Sequence, residues 1–141
     1  LEQAKKAGAD HTFLSTESDL EEKINVLTNN RGADISFEAV GMNESVNIAI
    51  DILRKGGKAV LVGNVSLKVD FPLQKVVTRE LKILGSCAIR GEYEVVLNLL
   101  ETRKISVDDQ ISAVVPLSEG AKWFNKLYRK EEELNKVILI P

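Results

Sequence analysis

The sequence lacks the features on which several classes of protein depend. Cys87 is its only cysteine, so no disulfide forms within the chain and a reducing, cytoplasmic setting is expected. With 19 Lys and Arg against 21 Asp and Glu, no basic excess exists to neutralise phosphates, and no nucleic-acid partner is expected. The longest apolar runs, residues 59–62 and 137–140, are too short to cross a bilayer, so no membrane partner is expected.

Motifs for phosphate and metal binding are also missing. The sequence contains neither GxGxxG nor GxxxxGK[ST], and no His, Cys, Asp and Glu residues have the spacing of metal ligands. The single histidine, His11, is interpreted as a residue at the start of a strand rather than an acid–base group. Cys87 has no second histidine to activate it and is interpreted as a small residue in a turn. The chain is therefore predicted to contain no catalytic residue and no metal ligand of its own.

The chain does contain an alternation of helix and strand patterns. Leu1 opens inside a helical pattern that stops at Gly8, which suggests that sequence precedes it. Ser18 and Glu21 have the spacing of a capping box, Asn43 is a plausible N-cap, and "RKGG" at 54–57 is predicted to end the second of these helices. The strands are predicted at residues 11–14, 33–40 and 58–64, and apolar residues alternate along the second of them, at Ile35, Phe37 and Ala39. The helix that Asn43 would cap carries an apolar stripe: Val46, Ala49, Ile50 and Leu53. Strands that alternate with helices indicate parallel βαβ units in an α/β fold.

In the second half of the chain the predicted helices and strands alternate less regularly. We predict an extended piece and a short helix after Asn64, an edge strand at 81–87, and a helix through Tyr93 to Leu100. A strand at 111–117, a helix capped by Ser118 and a final strand at 136–141 follow. The predicted helix after Ser118 carries three aromatic residues that are expected mostly to fill an interface: Trp123, Phe124 and Tyr128. The acidic run 131–133 is interpreted as a solvated turn.

Small residues end three of the predicted strands, at 39–41, 62–64 and 85–88. Ligands of parallel sheets bind at the carboxyl ends of the strands, and glycine there lets a ligand approach the backbone closely. Tight turns without a ligand explain the same pattern equally well. Asp34 and Glu38 share one face of a strand, and this pair is interpreted as capping or salt bridging rather than as acid–base chemistry.

Five blocks of sequence resemble a known family. "LEQAKKAGAD", "ADISFEAVG", "GGKAVLVGN", "LKILGSC" and "LNKVILIP" are similar, in order and spacing, to the C-terminal portion of zinc-dependent medium-chain alcohol and polyol dehydrogenases, with the sorbitol and L-iditol dehydrogenases nearest in character. The resemblance implies a fragment that begins one helix too late, just after the acidic residue that binds the adenosine ribose in this family. The zinc site and the glycine-rich loop would then lie in the absent part.

The resemblance also implies a fold and a division of the chain. The expected fold is a partial Rossmann-type doubly wound parallel sheet that lacks its first strands and its glycine-rich loop. Residues 1–88 would be the incomplete dinucleotide-binding domain, and residues 89–141 a C-terminal segment that returns to the absent catalytic domain. Without the missing strands, residues 11–14 and 33–40 either pair with each other or hide their edges in an oligomer. Trp123 and Phe124 would be unusually exposed.

The family's cofactor-binding positions map onto the strand ends. Backbone at Val40 and Gly41 would line the cofactor crevice, and Lys136 would approach the pyrophosphate. The nicotinamide carboxamide would be cradled by the ends of the next two strands: Val62, Gly63, Asn64, Ser86, Cys87 and Ala88. The Arg that orients substrate in polyol-specific members aligns with Ala88, so Arg90 is not assigned that role.

The activity implied for the intact parent is hydride transfer between a secondary alcohol or polyol and NAD, or NADP, with zinc as the Lewis acid. The fragment alone is expected to be inactive and to bind neither cofactor tightly. Residues 81–87 would form the edge strand of a homodimer. A different reading stays open: a complete small α/β binding or regulatory module without catalysis. A receiver-like module would need clustered acidic residues and a lysine at strand ends, which the chain lacks.

Overall fold

The structure is a computed structural model that describes residues 1–130 and 134–141. The acidic run 131–133, interpreted above as a solvated turn, lies outside the described residues. The described chain forms two compact units, one of Phe13–Arg90 and one of Leu1–Thr12 together with Gly91–Pro141. The predicted division into parts of a dehydrogenase at residues 88 and 89 stays a prediction.

Six helices and five strands alternate along the described residues. In chain order the helices are α1 (Glu2–Lys6), α2 (Leu20–Leu27), α3 (Asn43–Asp51), α4 (Leu73–Thr78), α5 (Tyr93–Glu101) and α6 (Gly120–Arg129). The strands are β1 (Ala33–Glu38), β2 (Leu53–Leu61), β3 (Lys82–Gly85), β4 (Ile111–Pro116) and β5 (Lys136–Ile140). Short 3₁₀ turns precede β4 and α6, at Asp108–Gln110 and Leu117–Glu119. The predicted α/β class is confirmed.

The unit Phe13–Arg90 contains a three-stranded parallel sheet in the order β1-β2-β3. Ser36 lies opposite Ala59, which in turn lies opposite Ile83, so these three side chains share one face. The connections β1–α3–β2 and β2–α4–β3 are the crossovers that parallel strands require. β3 lies at an edge of this sheet, as its outward Lys82 predicted.

The core of this unit forms where α3 packs on the sheet. The predicted apolar stripe of α3 is confirmed, since Val46, Ala49 and Ile50 are buried and Leu53 continues the stripe into β2. Ile50 and Leu53 are 0% exposed, and they cluster with Ala59 of β2. Full burial of one such aliphatic side chain contributes about 1.5–3 kcal/mol. This cluster therefore fixes α3 against β1 and β2.

The polar face of β1 is the buried one. Ser36 and Glu38 are 7% and 3% exposed, whereas Ile35 and Phe37 on the opposite face are 49% and 73% exposed. Ser36 Oγ donates to the Ala49 carbonyl oxygen at 2.7 Å, which ties the strand to α3. The alternation predicted for β1 is present, but in the described chain its apolar side chains are not the ones that α3 covers.

The unit that contains both chain ends is built on a parallel pair of strands, β4 and β5. α6 ends at Lys130, whose φ of 52° places it in the left-handed region. Phe124 and Tyr128 are 72% and 81% exposed, so the expectation that they fill an interface is wrong in the described chain. The expectation of unusual exposure is confirmed for Phe124 and wrong for Trp123. Trp123 is half-buried, and its indole N–H donates to Glu119 Oε2 at 3.1 Å.

The strand predicted at residues 11–14 is wrong, and so is its pairing with β1. These residues form no ladder, and the Leu14 N–H donates instead to Glu17 Oε1 at 2.7 Å. A strand needs backbone N–H and carbonyl groups that are available to a neighbour. The local side-chain acceptor at Glu17 competes with that arrangement, as short polar side chains in turns often do. Concealment of the edge in an oligomer stays a prediction.

Each of the three predicted helix caps is wrong by one residue. α2 begins after Asp19 rather than Ser18, and Lys23 Nζ lies 3.0 Å from Asp19 Oδ1, an ion pair that holds the first turn. Asn43 is the first helical residue rather than the cap, because its Oδ1 accepts a hydrogen bond from the Asp70 N–H at 2.8 Å. Ser118 lies inside a 3₁₀ turn that replaces the predicted cap of α6.

The sequence "RKGG" at 54–57 belongs to β2 rather than to a helix end. The register between β1 and β2 shifts between Ala33 and Ile35, so these residues form an irregular start of the strand. Gly56 has a φ of 73°, a conformation that favours glycine, and its N–H donates to the Arg79 carbonyl oxygen at 2.8 Å. In the described residues, no helix is long and apolar enough to cross a membrane.

Candidate functional site

The ends of β1 and β2 meet backbone against backbone. A Cβ built on Gly63 would lie 2.1 Å from Gly41 N and 2.2 Å from the Val40 carbonyl carbon. A Cβ built on Gly41, whose φ is 79°, would lie 2.3 Å from Asn64 N. Real Cβ atoms do not approach backbone atoms this closely. The two turns that follow β1 and β2 therefore require glycine at both positions.

Hydrogen bonds from main-chain groups join these two turns. The Glu38 carbonyl oxygen accepts from the Val62 N–H at 2.8 Å and from the Gly63 N–H at 3.0 Å. The Gly41 carbonyl oxygen accepts from the Ser66 N–H at 2.9 Å. The predicted cofactor-lining segments at 40–41 and 62–64 are thus adjacent, and their separation is set by backbone groups on both sides.

The buried side chain of Glu38 organises the first of these turns. Its Oε1 accepts from the N–H groups of Val40 and Gly41, each at 2.8 Å, and its Oε2 accepts from the Gly41 N–H at 3.0 Å. Burial of Glu38 opposes its charge, but the hydrogen bonds from Gly41, the Ser45 hydroxyl and Val40 outweigh it and lower the pKa of this carboxyl. Glu38 is therefore a carboxylate at neutral pH.

The third turn, after β3, lies next to the second. The Ser86 N–H donates to the Leu61 carbonyl oxygen at 2.9 Å, which continues the ladder past the end of β3. Cys87 and Ala88 follow and are exposed, and Ala88 has a φ of 54°. The strand pairing brings three predicted segments to one edge of the sheet. Lys136, exposed at the start of β5, belongs to the other compact unit, and its contact with a pyrophosphate stays a prediction.

The interpretation of Glu38 as a capping residue is confirmed, because its carboxylate accepts from two N–H groups. The sequence does not indicate that Glu38 is buried or that Ser45 lies beside it. Asp34, the other half of the pair, is exposed and forms salt bridges with Arg31 and Arg54. The sequence feature that could indicate the buried, capping role of Glu38 is a predicted strand in which Glu is followed by small residues and a glycine.

This edge exposes backbone groups and the side chains of two valines. In the residues that the structure describes, no group of three or more His, Cys, Asp or Glu side chains could hold a metal ion. A groove of about 270 Å³ runs along the open edge of β1 and is lined by Phe37, Val40 and Ile48 among others. Val40 and Val62 are 48% and 49% exposed, so their surfaces at this edge are open to a ligand.

Comparison with protein families gives one match, to the model described as zinc-binding dehydrogenase, over residues 1–102. Curated relatives include the sorbitol dehydrogenase of Halalkalibacterium halodurans, 29% identical over the whole of this chain and 41% of the relative. The D-xylulose reductase A of Aspergillus oryzae is 34% identical over 90% of this chain and 37% of its own length. The chain thus spans about two fifths of the curated relatives that it matches.

Solved structures show the same relationship. The alcohol dehydrogenase TADH from Thermus sp. ATN1 superposes with a TM-score of 0.87 at 27% identity, over 99% of this chain and 40% of the dehydrogenase. The structure titled AibC superposes with a TM-score of 0.84 at 30% identity, over 97% of this chain and 38% of its own. The fold described above is therefore that of a part of such proteins.

Proposed function

This chain belongs to the zinc-binding dehydrogenase family, and we propose that its strand-end turns hold the nicotinamide end of NAD, or of NADP, in an enzyme that oxidises a secondary alcohol or a polyol. The observation that carries the proposal is the backbone contact between Gly41 and Gly63 at the carboxyl edge of parallel strands. Such an edge is where ligands bind in open α/β sheets, and the two glycines bring the backbone of both turns together there.

The contribution of these residues is orientation. When bound, the nicotinamide ring gives or accepts the hydride. Backbone dipoles at 62–64 and 86–88 would fix the position of its carboxamide, and the exposed surfaces of Val40 and Val62 would exclude water from one side of the ring. The residues that the structure describes do not fit a zinc site.

The choice of a polyol rests on the curated relatives, two of which are named for sorbitol and D-xylulose. Their names support a sugar alcohol as the substrate class for the protein that contains this chain, and NAD follows as the cofactor that we favour. We further propose that residues 1–141 alone are inactive, that the protein works in the cytoplasm, and that residues 81–87 pair across a homodimer.

The proposal is tested with the full-length protein encoded by the gene that contains residues 1–141. NADH binding is measured by fluorescence titration and NAD reduction by absorbance, with xylitol, sorbitol and a primary alcohol as substrates. We expect NADH binding in the micromolar range and turnover of at least one polyol. A protein that binds NADH without turnover of any alcohol would support a binding module, and one that binds no dinucleotide would refute the proposal.

A matched pair of glycine variants connects the result to the site. Gly63→Ala places a methyl group between the two turns, whereas a Cβ on Gly85 at the end of β3 meets nothing within 4 Å. We expect Gly63→Ala to weaken NADH binding strongly and Gly85→Ala to weaken it less, because only the first substitution displaces backbone at this edge. Equal effects of the two would argue against a cofactor site there.

A further inference from the structure

We propose that Glu38 is a positioning residue for the nicotinamide half of the cofactor, because its carboxylate and its own carbonyl oxygen together hold the turns 39–41 and 62–64 in register. This inference rests on the proposed function. Glu38 does not need to touch the cofactor. It acts through the backbone of the two turns, on either side of the Gly41–Gly63 contact.

Glu38 accepts hydrogen bonds from the backbone of both turns. The side chain accepts hydrogen bonds from Val40 and Gly41, which follow β1, while the main-chain oxygen accepts from Val62 and Gly63, which follow β2. Glu38 is 3% exposed, so water cannot easily replace these bonds. The loss of its charge would therefore shift the turn 39–41 directly and the turn 62–64 through the contact between Gly41 and Gly63.

A structural salt bridge or a simple helix cap does not account for this arrangement. Neither Lys nor Arg is among the groups that shift the ionisation of Glu38, and its acceptor atoms are directed at backbone N–H groups and the Ser45 hydroxyl. A buried carboxylate costs free energy unless several donors satisfy it. An apolar residue would fill the same space without that cost, so the carboxylate is retained for the conformation that it imposes on residues 39–41.

The discriminating experiment compares two ligands on the full-length protein. NADH carries the nicotinamide, whereas ADP-ribose carries the remaining parts of the cofactor without it. Glu38→Gln keeps the shape of the side chain but turns one acceptor oxygen into a donor that faces the Gly41 or Val40 N–H. We expect the Kd for NADH to rise about tenfold, equivalent to about 1.4 kcal/mol, while the Kd for ADP-ribose changes by less than twofold.

The matched control is Glu44→Gln, which removes a carboxylate from the exposed first turn of α3. It should leave both dissociation constants within twofold of wild type. If Glu38→Gln binds NADH as wild type does, or if it weakens both ligands equally, the inference is wrong. If the wild-type protein binds neither ligand, the proposed function fails first, and the inference fails with it.

A second variant keeps the test decisive if Glu38→Gln does not fold. Ser45→Ala removes a hydroxyl that bonds to the Glu38 carboxylate and to the Met42 backbone, while the N–H donors of Val40 and Gly41 remain. It should raise the Kd for NADH two- to fivefold and leave the Kd for ADP-ribose unchanged. An unchanged Kd for NADH in Ser45→Ala, at a wild-type melting temperature, would overturn the inference.

Discussion

The close backbone approach between Gly41 and Gly63 provides a strong test of the fold. Gly63→Ala would place a methyl carbon 2.1–2.3 Å from three backbone atoms of Val40 and Gly41. Non-bonded carbon atoms prefer separations of about 3.5–4.0 Å, so the two turns would have to part by roughly 1 Å or more. No flexible side chain can absorb this shift, because all three atoms belong to the main chain.

The expected loss in the free energy of unfolding has two sources, which are overpacking and strained hydrogen bonds. Overpacking a rigid site costs about 1–3 kcal/mol. The movement would also strain the hydrogen bonds from the Val62 and Gly63 N–H groups to Glu38, each with a net value of about 1 kcal/mol. We therefore expect the free energy of unfolding to fall by about 3 kcal/mol. A unit the size of Phe13–Arg90 would lose roughly 12–24 °C in melting temperature, at about 4–8 °C for each kcal/mol.

The assay is urea unfolding followed by far-UV circular dichroism, with thermal melts as a second measurement. Gly85→Ala is the control, because its new methyl group meets nothing within 4 Å and its backbone does not adopt a positive φ. It should change the free energy of unfolding by about 0.5 kcal/mol or less. A loss below about 1 kcal/mol for Gly63→Ala, or equal losses for the two variants, would refute the contact between the turns.

Three further predictions concern the same unit. Leu53→Ala should lower the free energy of unfolding by about 2–5 kcal/mol because Leu53 is fully buried, whereas Val26→Ala, at a site 69% exposed, should stay within about 0.5 kcal/mol in the same urea titration. The hydrogen bond from Arg54 is the largest cause that lowers the pKa of Asp34. The ion pair therefore stabilises the folded state fully at pH values above the ordinary pKa of 3.8. This stabilisation is lost as the pH falls through the lower pKa of the folded state. Arg54→Gln should raise the titration midpoint of that carboxyl, observed by NMR, and no rise would contradict this cause. Phe37→Gln should alter the free energy of unfolding by less than about 0.5 kcal/mol, since Phe37 is 73% exposed; a larger loss would mean that this face of β1 is covered.

The regular part of the fold could be predicted from periodicity. The stripe at Val46, Ala49 and Ile50 marks a face that must be buried, and the structure buries it. Parallel β1, β2 and β3 follow from strands separated by helices. These features depend on side-chain spacing over a dozen residues, which a single sequence displays directly.

Helix ends and the strand at 11–14 could not be predicted in the same way. Their outcome depends on competing local acceptors, such as Glu17 Oε1 for the Leu14 N–H and Asn43 Oδ1 for the Asp70 N–H. The second of these pairs is separated by 27 residues, so no local motif contains it. A capping pattern indicates which residues are able to cap a helix, but it does not indicate which N–H group each side chain binds in the fold.

The location of the candidate site could be predicted from the sequence, but the backbone contact that forms it could not. Small residues at strand ends indicated residues 39–41, 62–64 and 85–88, and the strand pairing brings these ends to one edge. Their dependence on the Gly41–Gly63 contact could not be read from the sequence, because glycine in a turn has many uses. Only the register between β1 and β2 reveals that each glycine leaves room for the backbone of the other turn.

The inversion of polarity on β1 links the fold to the site. Strands of parallel sheets have neighbours on both faces, so alternation alone does not decide which face of β1 meets α3. Here the polar face does, because Ser36 donates to a carbonyl of α3 and Glu38 accepts from the turn that leads into that helix. An apolar residue at position 38 would pack against α3 equally well but would leave the Val40 and Gly41 N–H groups without their buried acceptor, at a cost of about 1–3 kcal/mol for each unsatisfied group. The turn would then change conformation to find water, and the contact with Gly63 would be lost. The burial of a charged residue on β1 is therefore a consequence of the turn that it maintains, and this turn is where the cofactor is proposed to bind.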